Sequence, residues 1–291
     1  MLPFFNSGKK SRQKKLSRVR FVASDLDGTL LNDSNEISLR SMEIITRLRA
    51  RGIEFILLSG RSDGFVRKYS RLIKSDAPIV SLNGHLILSP DGNFLHGSFL
   101  NEEICSTICD TAGKHKEVTV AAFTPDGILY ETPTIALPRY LRPIAEEQKQ
   151  VTSIASYFGK TALYVCTGSY AAIQDIVRTV AKKYGDALAR VSYQTAMGTD
   201  RYYLELRSSG ISKATALRFL AKHFHAKEES FAAIGDFDND IEMCRLAGVS
   251  AATRNAVDAL KTDVDIVTRN TNNEDGASEF FQLIYDAQFH D

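Results

Sequence analysis

The chain has 291 residues, 44% hydrophobic and 24% charged, with a formal net charge of +1. That is the composition of an ordinary globular protein, with room for one large domain or two medium ones. The balanced charge gives no reason to expect a nucleic-acid partner, and no apolar run approaches the roughly 20 residues that span a bilayer, so no membrane partner is expected.

The opening Met1-Leu2-Pro3-Phe4-Phe5 is too short for the apolar region of a signal peptide. Residues 1–19 carry Lys9, Lys10, Arg12, Lys14, Lys15 and Arg18 with no acid between them, and are expected to form a basic, disordered tail. Val22-Ala23-Ser24 reads as a short buried strand ending at Asp25-Leu26-Asp27-Gly28-Thr29-Leu30. Ile37 to Arg51 carries Ile37, Ser41, Ile44, Ile45 and Leu48 at helical spacing, with Gly52 as a stop. A second buried strand, Ile53 to Leu58, ends at Ser59-Gly60-Arg61, and a helix follows with Phe65, Tyr69, Leu72 and Ile73 on one face. A third strand, Ile79 to Leu82, ends at Asn83-Gly84. Alternating strands and helices predict a parallel sheet with right-handed crossovers.

The texture changes over residues 86–207. Pro90-Asp91-Gly92-Asn93 and Pro125-Asp126-Gly127 mark hairpin turns, and Pro133, Pro138 and Pro143 punctuate a loop. Strands are expected over Thr161 to Cys166, Arg190 to Tyr193 and Arg201 to Leu206, with a helix over Ala171 to Tyr184. This stretch reads as an α+β unit inserted into the first domain. The first pattern resumes at Ile211 with a helix from Lys213, capped by Ser212. Phe231 to Ile234 is a fourth buried strand, ending at Gly235-Asp236-Phe237-Asp238-Asn239-Asp240. A short helix carrying Ile241, Met243 and Leu246, strands at Val249 to Ala252 and Asp265 to Thr268, and a last helix with Phe280, Leu283, Ile284 and Ala287 inward complete the chain. Cys105, Cys109, Cys166 and Cys244 lack paired metal-binding spacing and read as free buried thiols in a reducing, cytoplasmic compartment.

In an α/β sheet, ligands bind beyond the carboxyl ends of the strands. Asp25, Asp27 and Asp236 all fall at that edge if the first and fourth strands adjoin. Crowded carboxylates repel, and a hard cation with open water positions relieves them, which suits Mg2+. Lys213, Ser59 and the turn N–H groups near Gly28 and Gly60 supply donors and positive charge for a phosphate. The combination fits phosphoryl transfer through an aspartyl-phosphate, with Asp25 attacking phosphorus and Asp27 serving as acid and then base.

Asp25-Leu26-Asp27-Gly28-Thr29-Leu30, Ser59-Gly60-Arg61, Lys213 and Gly235 to Asp240 stand in the order of the four motifs of the haloacid dehalogenase superfamily, which this chain resembles over about residues 20–285. Asn83-Gly84, Asp240 to Met243 and Asn273-Glu274-Asp275-Gly276 are similar to its Cof-like phosphatase branch. The resemblance implies a Rossmann-like core over residues 20–85 and 208–291 and a cap over 86–207. It implies a nucleophile at Asp25, an acid/base at Asp27, and Mg2+ held by Asp25, the Asp27 backbone carbonyl and Asp236. Phosphate contacts would come from the Leu26 N–H, Ser59, Gly60, Lys213 and Asn239, with Asp240 orienting the metal site from behind. Ala214 stands where the family usually has glycine, and His85 where it usually has a small residue. His85 is read as an exposed hinge histidine, with a substrate-facing role as the alternative.

The expected activity is therefore a Mg2+-dependent phosphatase of a small phosphorylated metabolite. Sugar phosphates come first, with flavin mononucleotide and pyridoxal phosphate behind them. The alternatives are a phosphomutase or phosphotransferase of the same superfamily, and a non-catalytic phosphometabolite sensor, which would have no need of both Asp25 and Asp27. Tyr164, Tyr193, Tyr202, Arg139 and Arg201 are candidates to line the cap, against the simpler reading that such tyrosines pack a sheet. Oligomeric state is not legible in the sequence.

Overall fold

The basic N-terminal run is a helix joined to the core, where a disordered tail was expected. In the computed structural model, which describes residues 7–132, 137, 148–195 and 199–289, and side chains from residue 12 onward, α1 spans Ser7–Leu16. Its sequence has no apolar residue before Leu16, so periodicity gives no signal for it. What ties it down lies at its end. Leu16 and Val19 are buried, and the Gln288 amide donates to both of their carbonyls at 3.0 Å. Lys15 pairs with Asp265 at 2.6 Å.

β1 (Phe21–Ser24) is buried along its whole length, as a central strand covered on both faces must be. α2 (Leu39–Arg49) starts at Ser38, whose Oγ accepts the Ser41 N–H, and buries Ser41, Ile44, Ile45 and Leu48. β2 (Glu54–Leu57) follows, then α3 (Asp63–Leu72). The inward face of α3 is set by Val66, Tyr69, Ser70 and, just beyond it, Ile73. Leu72, expected on that face, is 49% exposed. It stands about 200° around the helix from Ser70. β3 (Ile79–Ser81) and β4 (Leu86–Leu88) pair antiparallel.

The next segment builds a second unit. β5 (Phe94–Gly97) leads to α4 (Glu102–Ala112), a helix capped by Asn101 that buries Ile104, Cys105, Ile108 and Ala112. β6 (Thr119–Thr124) and β7 (Gly127–Tyr130) form the hairpin marked by Pro125-Asp126-Gly127. β8 (Gln148–Gln150), β9 (Leu163–Gly168), α5 (Tyr170–Tyr184), β10 (Leu188–Gln194) and β11 (Tyr202–Ser208) complete it. The six strands lie in the order β10-β11-β9-β6-β7-β8, antiparallel except for β7 with β8. Ile104, Cys105 and Ile108 of α4 and Ile173, Ile176 and Val180 of α5 pack with Tyr164, Cys166, Leu204 and Leu206 of the sheet. Pro133, Pro138, Arg139 and Pro143 lie outside the described residues.

The chain then returns to the first unit through α6 (Lys213–His223), β12 (Phe231–Gly235), α7 (Ile241–Leu246), β13 (Val249–Ala252), α8 (Asp258–Asp263), β14 (Ile266–Val267) and α9 (Gly276–Gln288). α8 is too short for periodicity to announce. Leu283 of α9, expected inward, is 37% exposed. The sheet order is β14-β13-β12-β1-β2, with every pair parallel, and Leu58 extends it to Val80 of β3 through one further parallel bridge. Phe21 stacks between Phe224 and Phe231 at 4.7 and 4.6 Å, joining β1, β12 and the end of α6.

The architecture is thus a parallel α/β core and an α+β unit inserted in its chain. The first unit takes the chain up to Ser59, Val66–Asn93 and everything from Ser212; the second takes Gly60–Phe65 and Phe94–Ile211. These limits differ from the expected 86–207. Residues 86–93 stay with the core because β4 pairs with β3, and residue 209 stays with the second unit because its N–H donates to Ala187 O. Among the described residues no helix is long and apolar enough to cross a membrane.

Candidate active site

β1 lies between β12 and β2 with Ser24 opposite Ile234 and Leu57, so the first and fourth predicted strands do adjoin. Asp25 continues the ladder, its N–H donating to Ile234 O at 3.0 Å, and its carboxylate is buried. The loop turns back at once, because Leu26 O accepts the N–H groups of Thr29 and Leu31 at 3.3 and 2.8 Å. Asp27 is half-buried on this turn. Gly28 takes φ +74°, and a Cβ there would collide with the Asp236 carboxylate, so both the turn and the close approach require glycine.

β12 delivers Asp236 beside that loop, and the Thr29 hydroxyl donates to Asp236 Oδ1 at 2.9 Å. Asp240 folds back over the strand end: its Oδ2 accepts the N–H groups of Asp236 and Phe237, each at 3.1 Å. Gly235 leaves the space that this carboxyl fills. α6 begins at Lys213, with Ser212 and Thr215 forming a reciprocal cap. Lys213 is fully buried, and its Nζ lies 2.5 Å from Asp25 Oδ1 and 2.7 Å from Asp240 Oδ1.

One buried cluster therefore holds Asp25, Asp236, Asp240 and Lys213. The three aspartates each offer an oxygen within 4.8 Å of the others. Asp240, expected to orient the site from behind, meets it through Lys213 Nζ and through the Asp236 and Phe237 N–H groups. Ser59, Asn83 and Asn239 form a second chain of contacts. Ser59 is buried, its carbonyl accepts the Asn83 N–H at 2.9 Å, and Asn239 Nδ2 donates to Asn83 Oδ1 at 2.8 Å. Gly60 belongs to the second unit. His85 is fully buried, with Nδ1 2.8 Å from Leu82 O, and is not the exposed hinge residue expected. Of the cap candidates, Tyr164 is buried in the core of the second unit, Tyr202 packs against Tyr170, and Tyr193 donates to Glu205.

Sequence reasoning missed Thr29, Thr253, Asn255 and Asn272. Thr29 lay inside a quoted motif without a role. The other three follow strands at the same sheet edge as the acids, which is the signal that could have found them. Thr253 Oγ1 and Asn255 Nδ2 donate to Gly28 O at 3.3 and 2.8 Å, and Asn272 Nδ2 donates to Leu31 O at 3.0 Å.

The electrostatics follow from burial. Burial raises the Asp25 carboxyl well above its usual value; Lys213 opposes that rise, while Asp240 and Asp236 add to it. Asp236 is pushed up to about 6, first by burial and then by Asp240, against the Thr29 hydrogen bond. Burial disfavours the Lys213 ammonium, but Asp240 and Asp25 outweigh it and hold its pKa above the usual value. Fully ionised, three carboxylates and one ammonium carry a net formal charge of −2, a state that the raised Asp25 and Asp236 carboxyls resist without a cation. A divalent cation matches that charge, and an all-oxygen donor set suits a hard ion such as Mg2+.

A family model described as haloacid dehalogenase-like hydrolase matches residues 22–281. The chain belongs to that family. The chain is 26% identical over 277 residues to the chloroplastic endoribonuclease YBEY of Arabidopsis thaliana, covering 90% of this chain but only 46% of that protein. It is 25% identical over 276 residues to the 5-amino-6-(5-phospho-D-ribitylamino)uracil phosphatase YitU of Bacillus subtilis (strain 168), covering 90% of this chain and 96% of that one. A haloacid dehalogenase-like hydrolase from Bacteroides thetaiotaomicron has the same fold, with a TM-score of 0.75 at 24% identity, covering 91% of this chain and 99% of that structure.

Proposed function

We propose that this haloacid dehalogenase-like hydrolase is a Mg2+-dependent phosphatase of small phosphorylated metabolites, working through an aspartyl-phosphate on Asp25. The observation that carries the reading is the buried Asp25 carboxyl at the carboxyl end of β1, held by Lys213 at 2.5 Å and grouped with Asp236 and Asp240, whose oxygens lie within 4.8 Å.

Asp25, the Asp27 backbone carbonyl and Asp236 would hold the ion. When bound, Mg2+ supplies positive charge that keeps Asp25 ionised and offsets the charge on the phosphoryl oxygens. Asp25 attacks phosphorus; the bond from phosphorus to the leaving oxygen breaks, and Asp27 gives that oxygen its proton. Asp27 then takes a proton from water, the water oxygen attacks phosphorus, and the bond to Asp25 breaks to release phosphate. Lys213 holds one Asp25 oxygen in place and adds a positive charge beside it. Ser59, Gly60, Asn239 and the Leu26 N–H serve as phosphate donors. Asp240 orients Lys213 and the Asp236 backbone.

Phosphorylated sugars and sugar alcohols are the first substrate class. The support is the ribityl phosphate named for the YitU relative, which is similar along almost its whole length. The test is phosphate release from a panel of sugar, nucleotide and cofactor phosphates, with Mg2+ or with EDTA, beside Asp25→Asn. Metal-dependent release that disappears in the variant supports the reading. Release that survives in Asp25→Asn, or that ignores EDTA, overturns it.

A further inference from the structure

The loop from Asp25 to Asp33 is pinned from two other strand ends. Thr253 and Asn255 follow β13, and Asn272 and Asn273 follow β14. The Gly28 carbonyl receives two donors, Asn255 Nδ2 at 2.8 Å and Thr253 Oγ1 at 3.3 Å. The Asn272 N–H donates to Asn255 Oδ1 at 2.8 Å. That bond fixes the carboxamide: the end facing an N–H must be oxygen, so the end facing Gly28 O is the NH2 group. The Asn272 side chain donates in turn to Leu31 O at 3.0 Å and lies 3.3 Å from Asp33 Oδ1, while Asn273 Oδ1 accepts the Asp33 N–H at 2.9 Å. Asn272 is itself held inside a small cap, with Thr271 and Glu274 bonded to each other.

These bonds do more than satisfy buried groups. Asn255 is exposed, and its amide would be equally content in water. Instead it is held at both ends. The carbonyl it grips belongs to the one residue of the loop at φ +74°, directly after Asp27. The other side of Asp27 is fixed by the Asp25 N–H on Ile234 O. With the backbone set on both sides, the turn that carries the Asp27 side chain has one orientation.

We propose that Asn255, backed by Asn272, is a positioning residue for Asp27: the relay from Asn272 N–H through the Asn255 carboxamide to Gly28 O aims the acid/base carboxyl at the leaving oxygen. This rests on the phosphatase reading of Asp25 and Asp27. Residues that orient a reacting group from behind it contribute about 10- to 100-fold.

The test uses two substrates that differ in their need for a proton. An alkyl phosphate such as glycerol phosphate leaves as an alkoxide unless it is protonated; p-nitrophenyl phosphate leaves as a stabilised phenolate. Asn255→Asp keeps the shape and the acceptor for Asn272 N–H but replaces the donor on Gly28 O with an anion. With Mg2+ saturating, kcat/KM, which covers only the steps up to loss of the leaving group, falls about 10- to 100-fold on the alkyl phosphate and less than about threefold on p-nitrophenyl phosphate. Asn272→Ala keeps the main-chain N–H that holds Asn255 but removes the side-chain donor on Leu31 O, which pins the same loop; it shifts the ratio of the two kcat/KM values in the same direction by a smaller factor, and serves if Asn255→Asp fails to fold. Equal losses on both substrates, or no loss, overturn the positioning role. Activity that persists in a parallel Asp25→Asn control overturns instead the reading of the site on which the proposal stands.

Discussion

Lys213 Nζ lies 2.5 Å from Asp25 Oδ1 although 188 residues separate them; the ammonium is closed off from solvent and the carboxyl is 9% exposed. The pair joins the end of β1 to the first turn of α6. The same ammonium reaches Asp240 at 2.7 Å, so one cation holds together the two acids that flank the strand ends. Removing it leaves two buried carboxylates without their partner. Lys213→Met is expected to destabilise the metal-free protein by about 3–5 kcal/mol and to reduce kcat by about 100-fold or more. Urea unfolding in EDTA and phosphate release with Mg2+ read the two effects separately.

Asp236 has its carboxyl raised from 3.8 to about 6, by burial first and by Asp240 second. A carboxyl with a raised folded pKa favours the folded state in its protonated form. That stability is fully present below pH 3.8 and is lost as the pH rises through about 6. In EDTA, melting temperature should therefore carry a falling component from Asp236 across this window. Asp236→Asn should remove that component and raise the melting temperature at pH 7. The same variant should weaken Mg2+ binding, measured by calorimetry, by orders of magnitude. An unchanged Mg2+ titration would show that Asp236 is not a ligand.

Glu205 offers the same physics away from the site. It is buried on β11, with Tyr193 donating to it at 3.1 Å and Arg207 only at 3.9 Å. Burial pushes its carboxyl from 4.5 to about 7, with Arg207 pulling the other way. Its contribution to stability is fully present below pH 4.5 and lost as the pH rises through about 7. Glu205→Gln should raise the urea midpoint at pH 8 and change it little at pH 4.5. A variant that is less stable at pH 8 would mean the ionised carboxylate is better paired than these contacts indicate.

Leu16 is 3% exposed where α1 meets α9, so the N-terminal helix belongs to the stability of the core. Leu16→Ala should cost about 2–5 kcal/mol. Because α1 supplies no group to the acidic cluster, kcat on small phosphate esters should stay within about twofold at temperatures where the variant is folded. Thermal melting and initial rates on one preparation check both halves.

The parallel core could be read from the sequence because its strands are apolar runs that end in polar residues at one edge. Asp25, Ser59 and Asp236 were legible for that reason. The role of Asp240 was legible only in part, since nothing in Asp238-Asn239-Asp240 says that the chain folds back and brings its last carboxylate against Lys213. α1 was missed because a basic run with no apolar residue before Leu16 gives no periodicity, while its attachment depends on Leu16, Val19 and a glutamine near the other end of the chain. Asn255 and Asn272 were missed because asparagine after a strand is ordinary turn chemistry, and only the fold shows which carbonyl each one reaches. His85 looked like a hinge residue, but the positive φ values of Leu82 and Asn83 turn the chain so that its ring lies under the Leu82 carbonyl.

The register of β1 has a consequence for how this protein is made. Phe21 pairs with Glu54 on one side and with Phe231 on the other. Its first neighbour leaves the ribosome shortly after it, but its second is about 210 residues behind, at the far side of the whole inserted unit. At about 5–20 residues per second the central strand waits roughly 10–40 s with one edge unpaired. Asp25 waits almost as long for Lys213, 188 residues behind it. The inserted unit, whose strands pair with one another, can fold in that interval. A nascent chain stalled before residue 213 should therefore contain a folded inserted unit and an open, chaperone-dependent half-core.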